Sequence, residues 1–132
     1  MTNPKILWEY LRECGHYFLA TAAKGEPQIH IMADICFYEG SLYVDAAGHQ
    51  ALAEELSHNP MAVIGALHPD KSHLSLSAKL IKEEGSGPKE AMKKTFAHGL
   101  NKKERGPLCL FRITQLSATI WDGFDRERKI DK

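Results

Sequence analysis

The stretch best suited to chemistry is a glycine-bearing loop, residues 46–48, that leads into an amphipathic helix. Leu52 and Leu56 share one face of this helix, and Asn59-Pro60 ends it. The first N–H groups of a helix have no intrahelical partner and lie at the positive end of its dipole, so they attract anions. A bound phosphate is therefore the first functional hypothesis.

The cysteines indicate no chemistry of their own. Cys14, Cys36 and Cys109 are far apart in the sequence and form no CxxC or zinc-binding pattern. Their spacing is typical of reduced, buried or half-buried thiols in a cytoplasmic protein. No Ser/His/Asp or Cys/His arrangement for nucleophilic catalysis is legible either.

Length and charge limit the possible classes of protein. A chain of 132 residues is expected to form one domain. Its formal net charge is zero, so no global field attracts nucleic acid or a membrane surface. The N-terminal stretch lacks the apolar core of a secretory signal, and no apolar run is long enough to span a membrane. We expect a cytoplasmic protein without nucleic-acid or membrane partners.

Alternating patterns place the loop inside a mainly β domain. We predict an N-terminal helix capped by Asn3, a strand over residues 16–22, one long strand over Pro27–Tyr38, a turn at Glu39-Gly40 and a return strand over Ser41–Asp45. In the long strand, Ile29 and Ile31 are expected to face the interior. Met32 and Cys36 are expected on the second, exposed face, which is too apolar to remain in water and predicts a homodimer.

The second half of the chain continues this order. We predict a strand buried on both sides over Met61–Leu67, an alternating strand from Leu74 and a helix from Ser86 to Gly99. The last strand region, Leu108–Trp121, is either one long strand or two strands that divide near Gln115. We expect residues 100–106 to form a solvated basic connector. We divide the chain into one domain, residues 1–124, and a charged tail, residues 125–132, which frays. The order predicts a small antiparallel barrel, mainly β or α+β, with peripheral helices.

This order resembles the short form of the pyridoxamine 5'-phosphate oxidase-like, FMN-binding split-barrel family. The resemblance runs from about Ile6 to about Phe124. Its carriers are YFLAT at residues 17–21, EPQIHIMADICFYEGSLYV at residues 26–44, the loop and helix ending at Asn59-Pro60, MAVIGAL, LSLSAKL and SATIWDGF. The resemblance implies a six-stranded antiparallel Greek-key split β-barrel, a homodimer, and FMN bound with a small-molecule ligand at the dimer interface.

Carried over position by position, the resemblance also implies a cofactor site. The candidate FMN-binding residues are His30, Ile31, Met32, Ala33, Ala46, Gly48, His49, Gln50, Ser75, Ser77 and Trp121. Several of them depart from the family pattern, which has arginine and lysine at the flavin phosphate where this chain has His30, His49 and Gln50. We therefore expect weaker FMN binding than in relatives with those cations.

The individual side chains leave alternatives open. His30, His49 and His73 are either a rebuilt anion pocket, ligands of a metal, or ordinary surface and core-edge histidines; we expect no metal site. Asp34 is either a polar contact across the dimer or a general base. Trp121 either stacks on the flavin or packs, and Lys79 is either a further cation or an exposed barrel residue.

Two functions follow from the resemblance. The first is an FMN-binding split-barrel protein acting as a flavin-dependent oxidoreductase on an unidentified small molecule, with no catalytic residue assigned, since the flavin carries the chemistry. The second is a non-catalytic dimeric binding protein that has lost tight FMN binding and holds haem, another phosphate ligand or nothing.

Overall fold

The computed structural model describes residues 3–95, 107–123 and 126–128. The helices are α1 (Pro4–Cys14), α2 (Gln50–His58) and α3 (Ser86–Thr95), with a short 3-10 turn at Ala23–Gly25. The strands are β1 (Tyr17–Thr21), β2 (Gln28–Met32), β3 (Ile35–Tyr38), β4 (Ser41–Asp45), β5 (Met61–Leu67), β6 (Ser72–Glu83), β7 (Leu110–Asp122) and β8 (Glu127–Arg128). Helix α1 begins after Asn3, as predicted. The side-chain oxygen of Asn3 caps the helix by accepting a 2.9 Å hydrogen bond from the Lys5 N–H.

The strands form one antiparallel sheet that curls into a half-barrel. Their order is β2-β1-β5-β6-β7-β4-β3, with β8 paired to β7. Strands β2 and β3 lie at opposite edges of this order, yet only Ala33 and Asp34 separate them in the chain. A flat sheet of seven strands is roughly 29 Å across, whereas three Cα steps span only about 11 Å. The sheet must therefore bend until its two edges approach each other.

The predicted count of six strands is wrong, because the described residues contain eight. The long strand predicted over Pro27–Tyr38 is two strands, β2 and β3, separated by a corner at Ala33-Asp34. The buried Tyr17 hydroxyl donates a 2.7 Å hydrogen bond to the backbone oxygen of Asp34 and so holds this corner. An alternating pattern continues through such a corner, so sequence periodicity alone does not reveal it.

The predicted facing of β2 is also wrong. Ile29 and Ile31 are 67% and 62% exposed, whereas Met32 is 2% exposed and His30 is half-buried. In the pairing of β1 with β2, His30 lies opposite the fully buried Leu19. Both faces of β2 carry apolar side chains, so the pattern fixes the alternation but not which face lies inside.

Strand β5 is not buried on both sides as predicted. Its burial alternates, so that Ala62, Ile64 and Ala66 face the interior while Met61, Val63 and Leu67 are exposed. We call the resulting exposed surface the outer apolar face. It consists of the large side chains that β1, β2 and β5 turn away from the core: Phe18, Ile29, Ile31, Met61, Val63 and Leu67.

Strand β7 is one strand with a bulge rather than two strands. Its register with β6 shifts between Ser77 and Lys79, and Gln115 has a positive φ of 50°. The position predicted for a break near Gln115 is thus where the bulge lies. In the tail, Glu127 and Arg128 pair with β7 instead of fraying. The predicted helix end at Gly99 and the connector at residues 100–106 lie outside the described residues.

One contiguous core fills the concave side of the sheet. Leu7 and Leu11 of α1 and Leu52 of α2 are buried there against the inward-facing strand residues. Cys14, Cys36 and Cys109 are free thiols, and burial raises the pKa of Cys36 to about 12. Within the described ranges, no helix combines the length and apolarity needed to cross a membrane.

Candidate functional site

The loop before α2 is held in place by a buried carboxylate. Asp45, 3% exposed, accepts hydrogen bonds from the N–H of Ala47 at 2.9 Å and of Cys109 at 3.0 Å. Gly48 adopts a φ of 81°, which favours glycine, and the His49 N–H then bonds to the Ala46 oxygen at 2.8 Å. The loop thus has a defined shape that delivers His49 to the start of α2.

The N-terminus of α2 lacks a side-chain cap. His49 is the N-cap residue, and its side chain makes no capping hydrogen bond. Gln50, the first helical residue, is exposed. The first N–H groups of α2 therefore have no side-chain acceptor from the N-cap residue, as an anion site requires.

The imidazole of His30 is already paired with a carboxylate. Its Nε2 lies 2.9 Å from Oε1 of Glu55, and the Thr21 hydroxyl donates to the same oxygen at 2.6 Å. The side chains of His30 and Glu55 are only 15% and 18% exposed. Because an ionised carboxylate only accepts hydrogen bonds, the Nε2 of His30 carries a hydrogen and donates a hydrogen bond to Glu55.

The protonation of Glu55 is set by these partners. Burial raises the pKa of its carboxyl, but the hydrogen bonds from Thr21 and His30, together with the charge of His30, outweigh burial and lower the pKa overall. Glu55 is therefore ionised at neutral pH. Sequence reasoning missed it, since Thr21 and His30 are 34 and 25 residues away along the chain. The only local signal is that Glu55 follows Leu52 by one helical turn, next to the buried stripe of α2.

His49 completes this group. Its ring centroid lies 6.3 Å from that of His30, with the two rings perpendicular. We call Thr21, His30, His49 and Glu55 the histidine–carboxylate cluster. A cavity of about 290 Å³ adjoins it between the 3-10 turn and α2, and Lys24, Gln28 and Glu55 are among the residues that line this cavity.

Other candidate residues lie on the opposite side of the sheet. Ser75 and Ser77 of β6 are exposed. They pair with Gly65 and Val63 of the neighbouring strand β5, so they lie on the same side of the sheet as the outer apolar face. Trp121 lies opposite His73, which in turn lies opposite Leu67. Lys79 lies opposite Met61 in the same way. A polar strip therefore borders the outer apolar face on one side.

The structure thus separates the predicted site residues into two groups. His30, His49 and the buried Met32 lie on the inner side or at the α2 end, whereas Ile31 and the β6 and β7 residues lie on the outer side. His73 belongs to the outer group and does not join His30 and His49. The remaining candidates are placed as follows: Ala33 and Asp34 at the corner between β2 and β3, Ala46 buried in the loop, and Gly48 and Gln50 exposed. In the described part of the chain, no set of three or more His, Cys, Asp or Glu side chains is placed to hold a metal ion.

A second polar network fixes the C-terminal strand. Arg128 of β8 bonds through its Nη2 to Asp70 at 3.1 Å and through its Nε to Asp122 at 3.1 Å. The hydroxyls of Ser72 and Tyr10 share a buried 2.7 Å hydrogen bond, and Ser72 also donates to Asp70. The hydrogen bonds from Ser72 hold the pKa of Asp70 far below its usual range. These contacts join α1, β6, β7 and β8.

Comparisons with known proteins show the fold. No family model matches the chain, and no curated protein matches it significantly. Among solved structures, it is similar to a NimC/NimA family protein of Clostridium acetobutylicum, with a TM-score of 0.83, 20% identity, and coverage of 96% of this chain and 90% of that chain. It is also similar to an FMN-binding protein of Syntrophomonas wolfei, with a TM-score of 0.64, 13% identity, and coverage of 88% and 87%.

A third similar structure is that of a protein associated with haem instead of a flavin. It is HutZ, a haem storage protein of Vibrio cholerae, with a TM-score of 0.62, 18% identity, and coverage of 89% of this chain and 94% of that chain. Identities in this range establish architecture rather than activity. The chain therefore has the split-barrel fold that flavin-binding and haem-binding proteins share.

Proposed function

We propose that this chain is a homodimeric split-barrel protein that binds a flavin of the FMN type and serves as a flavin-dependent oxidoreductase. The observation that carries the proposal is the outer apolar face, since one protomer leaves this face and the candidate residues beside it open to solvent.

The outer apolar face supports the dimer. Ile29, Ile31 and Leu67 are each more than 60% exposed, and Phe18, Met61 and Val63 extend the same surface. Contiguous apolar surface of this kind usually marks an interface. A second copy is the occupant that we propose, because the face lies on a sheet and a twofold axis can place it against itself.

The residues present fit the ring of a flavin better than they fit its phosphate group. An apolar face bordered by Ser75, Ser77 and Trp121 offers the apolar and hydrogen-bonding surface that an isoalloxazine ring requires. The uncapped start of α2 offers backbone N–H groups to an anion. His30 does not fit the role of a free phosphate ligand, since its Nε2–H already donates a hydrogen bond to Glu55. The chemistry that a flavin supplies is electron or hydride transfer, and the protein supplies binding and orientation.

The visible spectrum of the freshly purified protein tests the proposal. Flavin absorption bands, or quenching of added FMN fluorescence, together with consumption of a reduced nicotinamide nucleotide, are the expected results. A protein that binds neither FMN nor riboflavin contradicts it.

The second candidate is a non-catalytic binding protein that holds haem. The occupied imidazole of His30 favours it, because that pairing weakens the phosphate site, and HutZ shows that the fold also serves a haem storage protein. A Soret band without flavin bands would support this candidate.

A further inference from the structure

We propose that Glu55 determines the charge of the ligand that this site accepts, and that it selects against a phosphate group. The inference rests on the proposed flavin-binding function and concerns which flavin is bound. It starts from the 2.9 Å contact between Glu55 Oε1 and His30 Nε2, which places a carboxylate at the imidazole that an anion would need.

Geometry makes this carboxylate a fixed part of the site. One oxygen of Glu55 accepts hydrogen bonds from both Thr21 and His30, and Thr21 is 3% exposed. Two donors on one oxygen leave the side chain little freedom to move away. An anion that contacts both His30 and His49, whose rings are 6.3 Å apart, would therefore lie close to a negative charge.

The balance of charge then disfavours a phosphate. At neutral pH the histidine–carboxylate cluster contains one carboxylate, and each imidazole carries a full charge only when it is protonated. The carboxylate offsets the charge that His30 would offer, so within the cluster only His49 still attracts an anion, and outside it the start of α2 adds its N–H groups. In a partly buried site the repulsion between like charges is screened less than at an open surface.

A ligand without a phosphate avoids this repulsion. A flavin with an uncharged ribityl tail can place a hydroxyl near His49 and Glu55, since hydroxyls both donate and accept hydrogen bonds. We therefore expect the wild-type protein to bind riboflavin about as tightly as FMN, within about threefold in Kd.

Binding measurements on three variants test the inference. Glu55→Gln keeps the shape and removes the charge, and should tighten FMN binding by about tenfold while changing riboflavin binding little. Glu9→Gln removes the same charge from an exposed residue of α1 that does not line the cavity beside the cluster, and should change neither. Glu55→Asp keeps the charge and should keep the wild-type preference. Unchanged FMN affinity in Glu55→Gln, or equal tightening of FMN and riboflavin, overturns the inference.

A measurement without flavin separates this inference from the proposed function. Inorganic phosphate is titrated into the wild type and Glu55→Gln while the imidazole resonances of His30 are followed by NMR. Phosphate should shift these resonances in the variant and leave them in place in the wild type. An equal response of both proteins overturns the role of Glu55, even if no flavin binds; binding of no flavin by itself contradicts only the proposed function.

Discussion

Replacing Ile31 with aspartate should dissociate the proposed dimer. Ile31 is 62% exposed in the protomer, and it lies opposite Phe18 in the outer apolar face. Full burial of an isoleucine side chain stabilises by roughly 1.5–3 kcal/mol, so burying the exposed part contributes about 1–2 kcal/mol. A twofold axis places the residue in the interface twice, which gives about 2–4 kcal/mol per dimer, or roughly 30- to 1000-fold in Kd.

The assay is sedimentation of the wild type and the variant over a range of micromolar concentrations. The wild type should sediment as a dimer and Ile31→Asp as a monomer, while Ile31→Val keeps the apolar surface and should remain dimeric. Ser86→Asp adds the same charge at the exposed start of α3, which is not part of the outer apolar face, and should also remain dimeric. A monomeric wild type, or an Ile31→Asp protein that still dimerises, would refute the reasoning.

Three further changes test the site and its support. His49→Lys should tighten FMN binding and flatten its pH dependence, because an ammonium stays charged at neutral pH whereas an imidazole is charged only when it is protonated. Fluorescence quenching measures this, with riboflavin as the control. Thr21→Val should lower the free energy of unfolding at neutral pH by about 1 kcal/mol, since Glu55 loses a donor. Because the pKa of Glu55 is lowered in the folded protein, the stabilisation by the Thr21 hydrogen bond is present above the ordinary carboxyl pKa. It is lost as the pH falls through the pKa of Glu55 in the folded protein. Urea unfolding at neutral pH checks the loss of stability, and urea unfolding at acidic pH checks that the difference between wild type and variant disappears. Tyr10→Phe should cost about 1 kcal/mol, because it removes the buried bond to Ser72, and urea unfolding should show it.

The sequence predicts features that depend on near neighbours. The turn at Glu39-Gly40 is present, and both residues have positive φ, as a two-residue hairpin turn requires. The loop at residues 46–48, the helix α2 and the irregularity at Gln115 are also at or near their predicted positions. Each is signalled by a glycine, a proline or a periodic pattern within a few residues.

The features that sequence reasoning missed depend on contacts between distant segments. Which face of β2 is buried is decided by β1 and the core, not by β2 itself. Glu55 acquires its role only when β1, β2 and α2 meet, and no periodicity indicates that Thr21 and His30 will share one of its oxygens. The family resemblance was enough to place His30 and His49 at one candidate site, although it wrongly added His73, whereas the carboxylate that pairs with His30 and the charge it brings could not be predicted.

Strand β2 links the two proposals through its alternation. It lies at the edge of the sheet, and its odd-numbered Ile29 and Ile31 project to the outer apolar face while His30 projects toward Glu55. A strand has only two faces, so a shift of β2 against β1 by one residue would exchange the interface residues with the ligand residues. Association of two copies over Ile29 and Ile31 would hold this register in place, and with it the contact between His30 and Glu55. Dimer formation and the choice of ligand are thus properties of the same strand, and a variant that weakens one should be examined for the other.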